Sequence, residues 1–403
     1  MSGPQSARRV IHLTSWLSRR GGGIPPVIWA LARSLDDLGI PGVVSGLEDA
    51  FFAEDSKQHS GSRKSLAVIS GRVKGPAAFG WSPDLASRLA GELGKGDLVH
   101  VHGLWMHPGI LGRSLSRRMG CRRMVSPHGM LEPWALRQGS LKKRLAGRLF
   151  ENKNLQSADC LHALCDAEKL SLREYGLKAP IAVIPNGIDL PSSLVRDEAR
   201  RVWNEHPHLV GARILLFLSR IHPKKGVPDL LRAWAHAGPR AGDWRLVVVG
   251  PDECGHEAEL RRMAADLSLT DQVVFAGPAY GDRKSAMLAG ADAFVLPSHS
   301  EGFSMAVLEA AASGLPVLLT RECHFSELAR AGGAVEVPAG VDGIGQGLDK
   351  LLAMGLAELA AMGAAGRNLV RKDYTWQAVA VKMKGVYDWL THGGPPPPWV
   401  ELA

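Results

Sequence analysis

Short apolar runs rich in β-branched residues recur along the chain, separated by stretches in which apolar residues return every three or four positions. Strands are predicted at 9–14, 42–45, 66–70, 97–102, 123–127, 160–164 and 182–184 in the first half. In the second half they are predicted at 213–218, 245–249, 273–276, 293–296, 316–319 and 334–337. Alternation of such runs with helical patterns predicts an α/β fold, a parallel sheet wrapped by helices. Two sheets of six or seven strands exceed what one doubly wound domain needs. The expected organisation is therefore two Rossmann-like domains, 1–190 and 191–375, with a boundary near Leu190 to Ser193. After Tyr374 and Trp376, the positions Val379, Met383, Val386, Tyr387 and Leu390 form one apolar face, predicting a last helix at 376–392. Beyond it, Gly393-Gly394 and Pro395 to Pro398 predict an extended, free polyproline tail over 393–403.

Composition is that of a globular protein: 403 residues, 45% hydrophobic and 22% charged, which excludes a disordered or collagen-like chain. The 46 glycines follow no repeat period and read as loop residues. No apolar run approaches the ~18 residues needed to span a bilayer, and the arginines Arg8, Arg9, Arg19 and Arg20 flank too interrupted a stretch for a secretory signal, so the expected location is cytoplasmic. Five cysteines without a Cys-x-x-Cys pair are expected to be reduced and mostly buried. With no Asp-x-Asp and no His-Glu-x-x-His, no metal site is ready-made, and chemistry without a metal or cofactor is expected.

Charge is one-sided. Residues 1–190 hold 26 Lys+Arg against 16 Asp+Glu, whereas the remainder holds 22 against 24, so the whole +8 excess is N-terminal. Between Gly112 and Lys153 eleven basic residues face only Glu132 and Glu151. Within 141–150, apolar Leu141, Leu145, Leu149 and Phe150 form a helical stripe beside Lys142, Lys143, Arg144 and Arg148. That face suits an anionic membrane surface; the competing reading is a core-facing helix with a solvated basic side. Nucleic acid is not expected, because no recognition module or aromatic-interleaved pattern accompanies the charge.

Ligands of open α/β folds bind where strand ends meet helix starts, and four places there carry candidate chemistry. Gly21-Gly22-Gly23 follows the first strand and could bring backbone N–H groups to a phosphate, or could be a simple turn. It is no dinucleotide fingerprint, since Pro26 stands where the third glycine belongs. Arg220 and Lys225 leave the strand at 213–218 just before a helix at Val227, a placement for cations on a pyrophosphate or for a solvated basic loop. Glu301, Gly302, Phe303, Ser304 and Met305 precede and open a helix that contains Glu309 and has no evident wet face; two carboxylates beside helix amides suit a nucleotide sugar. His128 ends the strand at 123–127, with His102 competing for any role it has.

Glu301 and Glu309, Arg220 with Lys225-Gly226, Pro185-Asn186-Gly187-Ile188-Asp189 and the early glycine loop together resemble glycosyltransferase family 4, the retaining nucleotide-sugar transferases of GT-B fold. The resemblance covers nearly the whole chain. Ser126 to Leu136 with Thr320-Arg321-Glu322-Cys323 resembles members from bacterial exopolysaccharide and O-antigen clusters. It implies an acceptor domain and a donor domain facing across a cleft, with the last helix packing back on the first. It further implies that Arg220 and Lys225 hold the donor diphosphate, Glu309 the ribose hydroxyls, and Glu301 with the amides around Phe303 to Met305 the donor sugar. His128 corresponds to the family's histidine near the sugar's 6-position, and Gly22 and Gly23 to its phosphate-facing loop. His299-Ser300 and the run Thr320 to Phe325, where many relatives carry glycines, depart from the pattern. The base falls to the segment Gly277 to Tyr280, which reads no code.

The function these features imply is metal-independent, retaining transfer of a hexose-type sugar from a nucleoside diphosphate to a hydroxyl of a glycan. The acceptor implied is a lipid-linked surface polysaccharide intermediate, met at the inner face of the cytoplasmic membrane. The alternatives are a non-catalytic sugar-nucleotide-binding scaffold and a nicotinamide-dependent two-domain oxidoreductase.

Overall fold

All thirteen expected strands form in the computed structural model, which describes residues 9–60, 66–191 and 195–402. Arg8 of the N-terminal arginines and Ser193 of the expected boundary lie outside the described residues. The strands are β1 (Val10–Trp16), β2 (Gly42–Glu48), β3 (Ala67–Arg72), β4 (Leu98–His102), β5 (Arg122–Ser126), β6 (Cys160–Ala163) and β7 (Ile181–Val183) in the first half, with β8 (Arg213–Leu218), β9 (Trp244–Val249), β10 (Val273–Gly277), β11 (Ala293–Leu296), β12 (Val317–Thr320) and β13 (Ala334–Val337) in the second. A further short strand, β14 (Val400–Glu401), was not expected.

The chain divides into two units, one made of Met1–Gly187 with Trp376–Ala403 and the other of Ile188–Thr375. The first unit's sheet has the order β14-β7-β6-β5-β4-β1-β2-β3, and the second unit's has β10-β9-β8-β11-β12-β13. Every pairing is parallel except β14 on β7. Leaving β14 aside, both orders start in one direction and reverse beside the first strand, the Rossmann pattern, which opens a crevice at the carboxyl ends of the strands where the order reverses. In the first unit that point lies between β1 and β4, and in the second between β8 and β11.

Eight helices flank the sheets where the candidate residues lie: α1 (Ile24–Asp37), α2 (His107–Met119), α3 (Ser140–Ala146), α4 (Asp166–Glu174), α5 (Val227–Ala237), α6 (Gly281–Gly290), α7 (Met305–Ala312) and α8 (Trp376–His392). The apolar face expected of α8 is buried along its length, from Trp376 through Val379, Met383, Val386 and Tyr387 to Leu390. It packs with Leu31 and Leu35 of α1 over Val10, Leu98, Met124 and Ala182, so the last helix belongs to the first unit. The other face of that sheet forms a second core with Leu111 and Leu115 of α2.

Two expectations are corrected, and one of two open readings is closed. The tail is not a free polyproline segment: it turns at Pro397, where Val400 N–H donates to the Pro397 carbonyl (2.9 Å), and β14 then closes the sheet edge at β7. Pairing gives the backbone partners that an extended tail in water would lack. The stripe at 141–150 does not face the core, since Leu141, Leu145 and Leu149 are 74%, 60% and 64% exposed. Arg123, counted in the basic excess, is buried and donates to Asn154 and Ser157. The cysteines are all free and, as expected, mostly buried, with Cys254 exposed.

Candidate active site

In the second unit the loop after β8 is drawn against the loop after β11. Gly226, at φ +71°, makes this possible, because a Cβ there would lie 1.9 Å from the Pro297 carbonyl oxygen. The Lys224 carbonyl accepts from His299 N–H (2.8 Å), a second tie between the loops. Lys225 is thereby turned inward, its Nζ 2.6 Å from Glu301 Oε1, with both side chains less than a tenth exposed. Ser298 Oγ donates to the same Glu301 oxygen. Ser298 is held in turn by Thr320 Oγ1, which donates to its carbonyl (2.6 Å), and Glu301 N–H donates to the Glu322 carbonyl (3.0 Å). Arg220, on the same loop, points elsewhere: its guanidinium pairs with Glu253 (2.9 Å), each about half exposed.

The glycine turn before α7 is capped by Ser304, whose hydroxyl accepts from Val307 N–H (3.4 Å). Phe303 packs in a cluster of three rings with Phe325 and Tyr374, its centroid 5.3 and 6.2 Å from theirs, just before the start of the helix. Helix α7 does have a partly open edge, formed by Met305, Ala306 and Glu309, contrary to the sequence expectation. Glu309 uses it: Oε1 accepts from Lys284 Nζ of α6 (2.6 Å), at a quarter exposure. The departures from the family pattern acquire structural roles here. His299 Nε2 lies 3.2 Å from Asp229, and His324 sits at φ +54°, a conformation glycine adopts without strain. Tyr280, in the segment expected to meet the base, is 69% exposed.

The first unit holds the other candidates. Gly21 is required by packing, since a Cβ would lie 2.7 Å from Pro25, and Gly22 by its φ of +63°. A Cβ on Gly22 or Gly23 would meet nothing within 4 Å, so backbone is presented there without side-chain cover. His128 and Gly129 make a turn with two positive φ values, 54° and 74°. Glu168 of α4, buried, pins this turn by accepting from Gly129 N–H (2.6 Å) and from Leu164 N–H (2.7 Å), and burial pushes its carboxyl up from the usual range.

His102 and His128 are hydrogen-bonded neighbours. His128 Nε2 is 3.1 Å from His102 Nδ1, and His102 Nε2 is 3.1 Å from His12 Nδ1. Register explains the gathering. His12 pairs with His100, and His102 with Ser126, which pairs in turn toward His162, so all five side chains leave one face of the sheet. His100 bonds Tyr387 of α8 (2.7 Å) and Ser126 (2.6 Å), and His162 bonds Ser126 (2.7 Å) and the Ile184 carbonyl (2.7 Å). Burial lowers all five histidines, His12 and His128 to about 3 and His162 to about 4. Nitrogens of His12, His100 and His102 come within 4.8 Å of one another, the spacing of a metal-ligand set. The set fits a dication poorly, because both ring nitrogens of His100 and of His102 are engaged and the network contains no carboxylate to offset the charge.

Sequence reasoning missed His12, Glu168, Lys284 and Ser298. The two-residue spacing of His100 and His102 on a strand was a usable signal for the histidine face; Glu168 and Lys284 left none.

Two family descriptions match the chain, "Glycosyl transferase 4-like domain" over residues 22–187 and "Glycosyl transferases group 1" over residues 200–369. A GDP-mannose-dependent alpha-(1-6)-phosphatidylinositol monomannoside mannosyltransferase of Mycolicibacterium smegmatis is 30% identical over 312 residues, 75% of this chain and 79% of the relative. Among solved structures, sucrose-phosphate synthase of Thermosynechococcus elongatus superposes with a TM-score of 0.74 at 20% identity, covering 96% of this chain and 100% of that one. Anabaena Alr3699/HepE, solved with UDP and glucose, gives 0.72 at 18% identity over 93% and 98%. The shared fold is GT-B.

Proposed function

This chain belongs to the group 1 glycosyl transferases, and we propose that it moves a hexose-type sugar from a nucleoside diphosphate to a hydroxyl of a glycan, without a metal and with retention at the anomeric carbon. The observation that carries the reading is the buried Lys225–Glu301 pair beside the N-terminus of α7, at the carboxyl ends of β8 and β11. An ammonium has three N–H donors, so Lys225 can hold Glu301 with one and meet diphosphate oxygens with others. Arg220, exposed enough to leave Glu253, adds a second cation, and the amides of Phe303 to Met305 add the helix terminus. These groups stabilise negative charge as the phosphate leaves, the work a metal performs in other transferases.

Glu301 Oε1 takes Lys225 and Ser298, and Oε2 is left for a sugar hydroxyl. Glu309 Oε1 takes Lys284, and Oε2 is left for the ribose. His128 and the amides of Gly22 and Gly23 keep the roles the family resemblance implies, toward the sugar and the phosphates. With no carboxylate assigned as nucleophile, departure of the phosphate and attack by the acceptor take place on the same face, the phosphate oxygen accepting the hydroxyl proton. The nicotinamide reading is set aside by the family match, and the scaffold reading by any turnover.

A lipid-linked acceptor is favoured by the outer face of the segment 141–150. Leu141, Leu145 and Leu149 stand exposed beside exposed Lys142, Arg144 and Arg148, and each basic residue contributes about 1 kcal/mol near anionic lipid. No helix among the described residues is long and apolar enough to cross a membrane, so contact would be peripheral. The test is release of UDP, GDP or ADP from a panel of nucleotide sugars with and without EDTA, and the anomeric form of the product. Absence of release from every donor refutes transfer, loss of rate in EDTA refutes metal independence, and an inverted product refutes retention. Vesicle co-sedimentation that ignores anionic lipid, salt and the Gln variants of Lys142, Arg144 and Arg148 refutes membrane contact.

A further inference from the structure

Arg220 and Lys225 leave the same strand end, yet two carboxylates draw them to opposite sides. Lys225 turns toward the loop after β11, where Glu301 holds it. Arg220 turns toward the loop after β9, on the other side of β8, where Glu253 Oε2 accepts from its Nη1 (2.9 Å). The two pairs differ in what separation would leave behind. Lys225 and Glu301 are 8% and 9% exposed, so parting them strands a buried charge, whereas Arg220 and Glu253, at 54% and 48%, would each return to water.

Backbone, and not the ion pair, puts Glu253 beside Arg220. Ser219 N–H donates to the Val249 carbonyl (3.0 Å) and Ile221 N–H to the Pro251 carbonyl (2.9 Å), so the loops after β8 and β9 run side by side on either flank of Arg220. Gly250 permits the approach, because a Cβ there would lie 1.8 Å from the Ser219 carbonyl oxygen. The Asp252 carboxylate accepts from His256 N–H (2.9 Å) and Glu257 N–H (3.1 Å), closing the turn that carries Glu253 into the helix Glu257–Asp266. Of two neighbouring acids, Asp252 is thus engaged by backbone and Glu253 is presented to the guanidinium.

We infer that Glu253 is a positioning residue that competes with the diphosphate of a nucleotide sugar for Arg220, lowering donor affinity and speeding departure of the nucleoside diphosphate. The inference rests on the transferase reading, which supplies the diphosphate. For Arg220 and Lys225 to meet one diphosphate, Arg220 is the cation that moves, since Lys225 is fixed by a buried partner. A carboxylate and a phosphate on one guanidinium repel each other, so the arrival of one displaces the other. After transfer the same exchange runs backward: Glu253 reclaims Arg220 as the diphosphate loosens.

The test is calorimetric titration of UDP, GDP and ADP into the full chain, the variants Glu253→Gln and Arg220→Ala, and the two combined. Glu253→Gln should tighten whichever nucleotide binds by roughly 1.4- to 5-fold, the worth of an exposed ion pair, and slow its dissociation in stopped flow. In the Arg220→Ala background the same substitution should change nothing. Unchanged or weakened binding in Glu253→Gln overturns the inference. So does equal tightening in both backgrounds, because Glu253 would then act as a general negative field and not through Arg220. A wild-type chain that binds none of the three nucleotides refutes the transferase reading and the competition with it, whereas binding indifferent to Glu253→Gln refutes the competition alone.

Discussion

Replacing Lys225 by Met isolates the buried Lys225–Glu301 pair. The ammonium lies 2.6 Å from Glu301, with side chains 8% and 9% exposed. Once it is removed, the Glu301 carboxylate keeps only the Ser298 hydroxyl, and breaking a buried pair from one side costs about 3 to 5 kcal/mol. An exposed pair would cost about 0.2 to 1 kcal/mol. The two ranges do not overlap, so the measurement discriminates. Glu301→Gln should cost a similar amount by stranding the ammonium, whereas Lys225→Met combined with Glu301→Gln should recover much of the loss, since neither charge is then unpaired. Urea unfolding followed by the fluorescence of Trp203, Trp234 and Trp244, all buried in the second unit, reads the relevant transition. A loss below about 1 kcal/mol for Lys225→Met, or a double variant as unstable as the sum of the singles, would refute the account of a desolvated pair.

Arg220→Ala should leave stability within about 1 kcal/mol, because its pair with Glu253 is solvated, yet weaken nucleoside diphosphate binding by about 1.5 to 3 kcal/mol in calorimetry. Unchanged affinity would return Arg220 to a solvated loop. The histidine face makes the first unit acid-sensitive. Burial sets the folded pKa values of His12 and His128 near 3 and of His162 near 4, below the unfolded value of 6.5, so between these limits the unfolded chain binds more protons. Stability is therefore full above about pH 6.5 and is lost as pH falls toward the folded values, by up to about 1.4 kcal/mol per pH unit for each histidine. A first-unit urea midpoint equal at pH 7.5 and pH 5 would contradict this. Truncation after Gly394 removes β14, buried Val400 and the Glu401 pairs with Lys169 and Arg173, and should cost about 2 kcal/mol in the first unit. Unaltered unfolding would mean the edge pairing contributes nothing.

Local pattern was enough to read thirteen strands, the apolar face of α8 and the glycine turns, because side-chain periodicity and the backbone freedom of glycine act within a few residues. Arg220, Lys225, Glu301, Glu309 and His128 could likewise be picked out, since each lies next to a strand end or in the helix that follows one. What joins them could not. Lys225 meets Glu301 across 76 positions of chain, through a loop contact that depends on the absence of a Cβ at Gly226. His100 and His102 share a face by strand geometry, but only the sheet order sets β4 between β1 and β5, and that brings His12 and His128 within hydrogen-bond reach of His102. The stripe at 141–150 reads identically whether it faces core or solvent, since amphipathicity states that a face must be covered and not by what. The tail is the converse case: its prolines forbid a helix, but pairing at β7 needed an open sheet edge that no local signal announces. Periodicity is a property of neighbours in sequence, whereas partners are chosen by the free energy of packing distant segments together, and only the folded chain brings those segments within reach of one another.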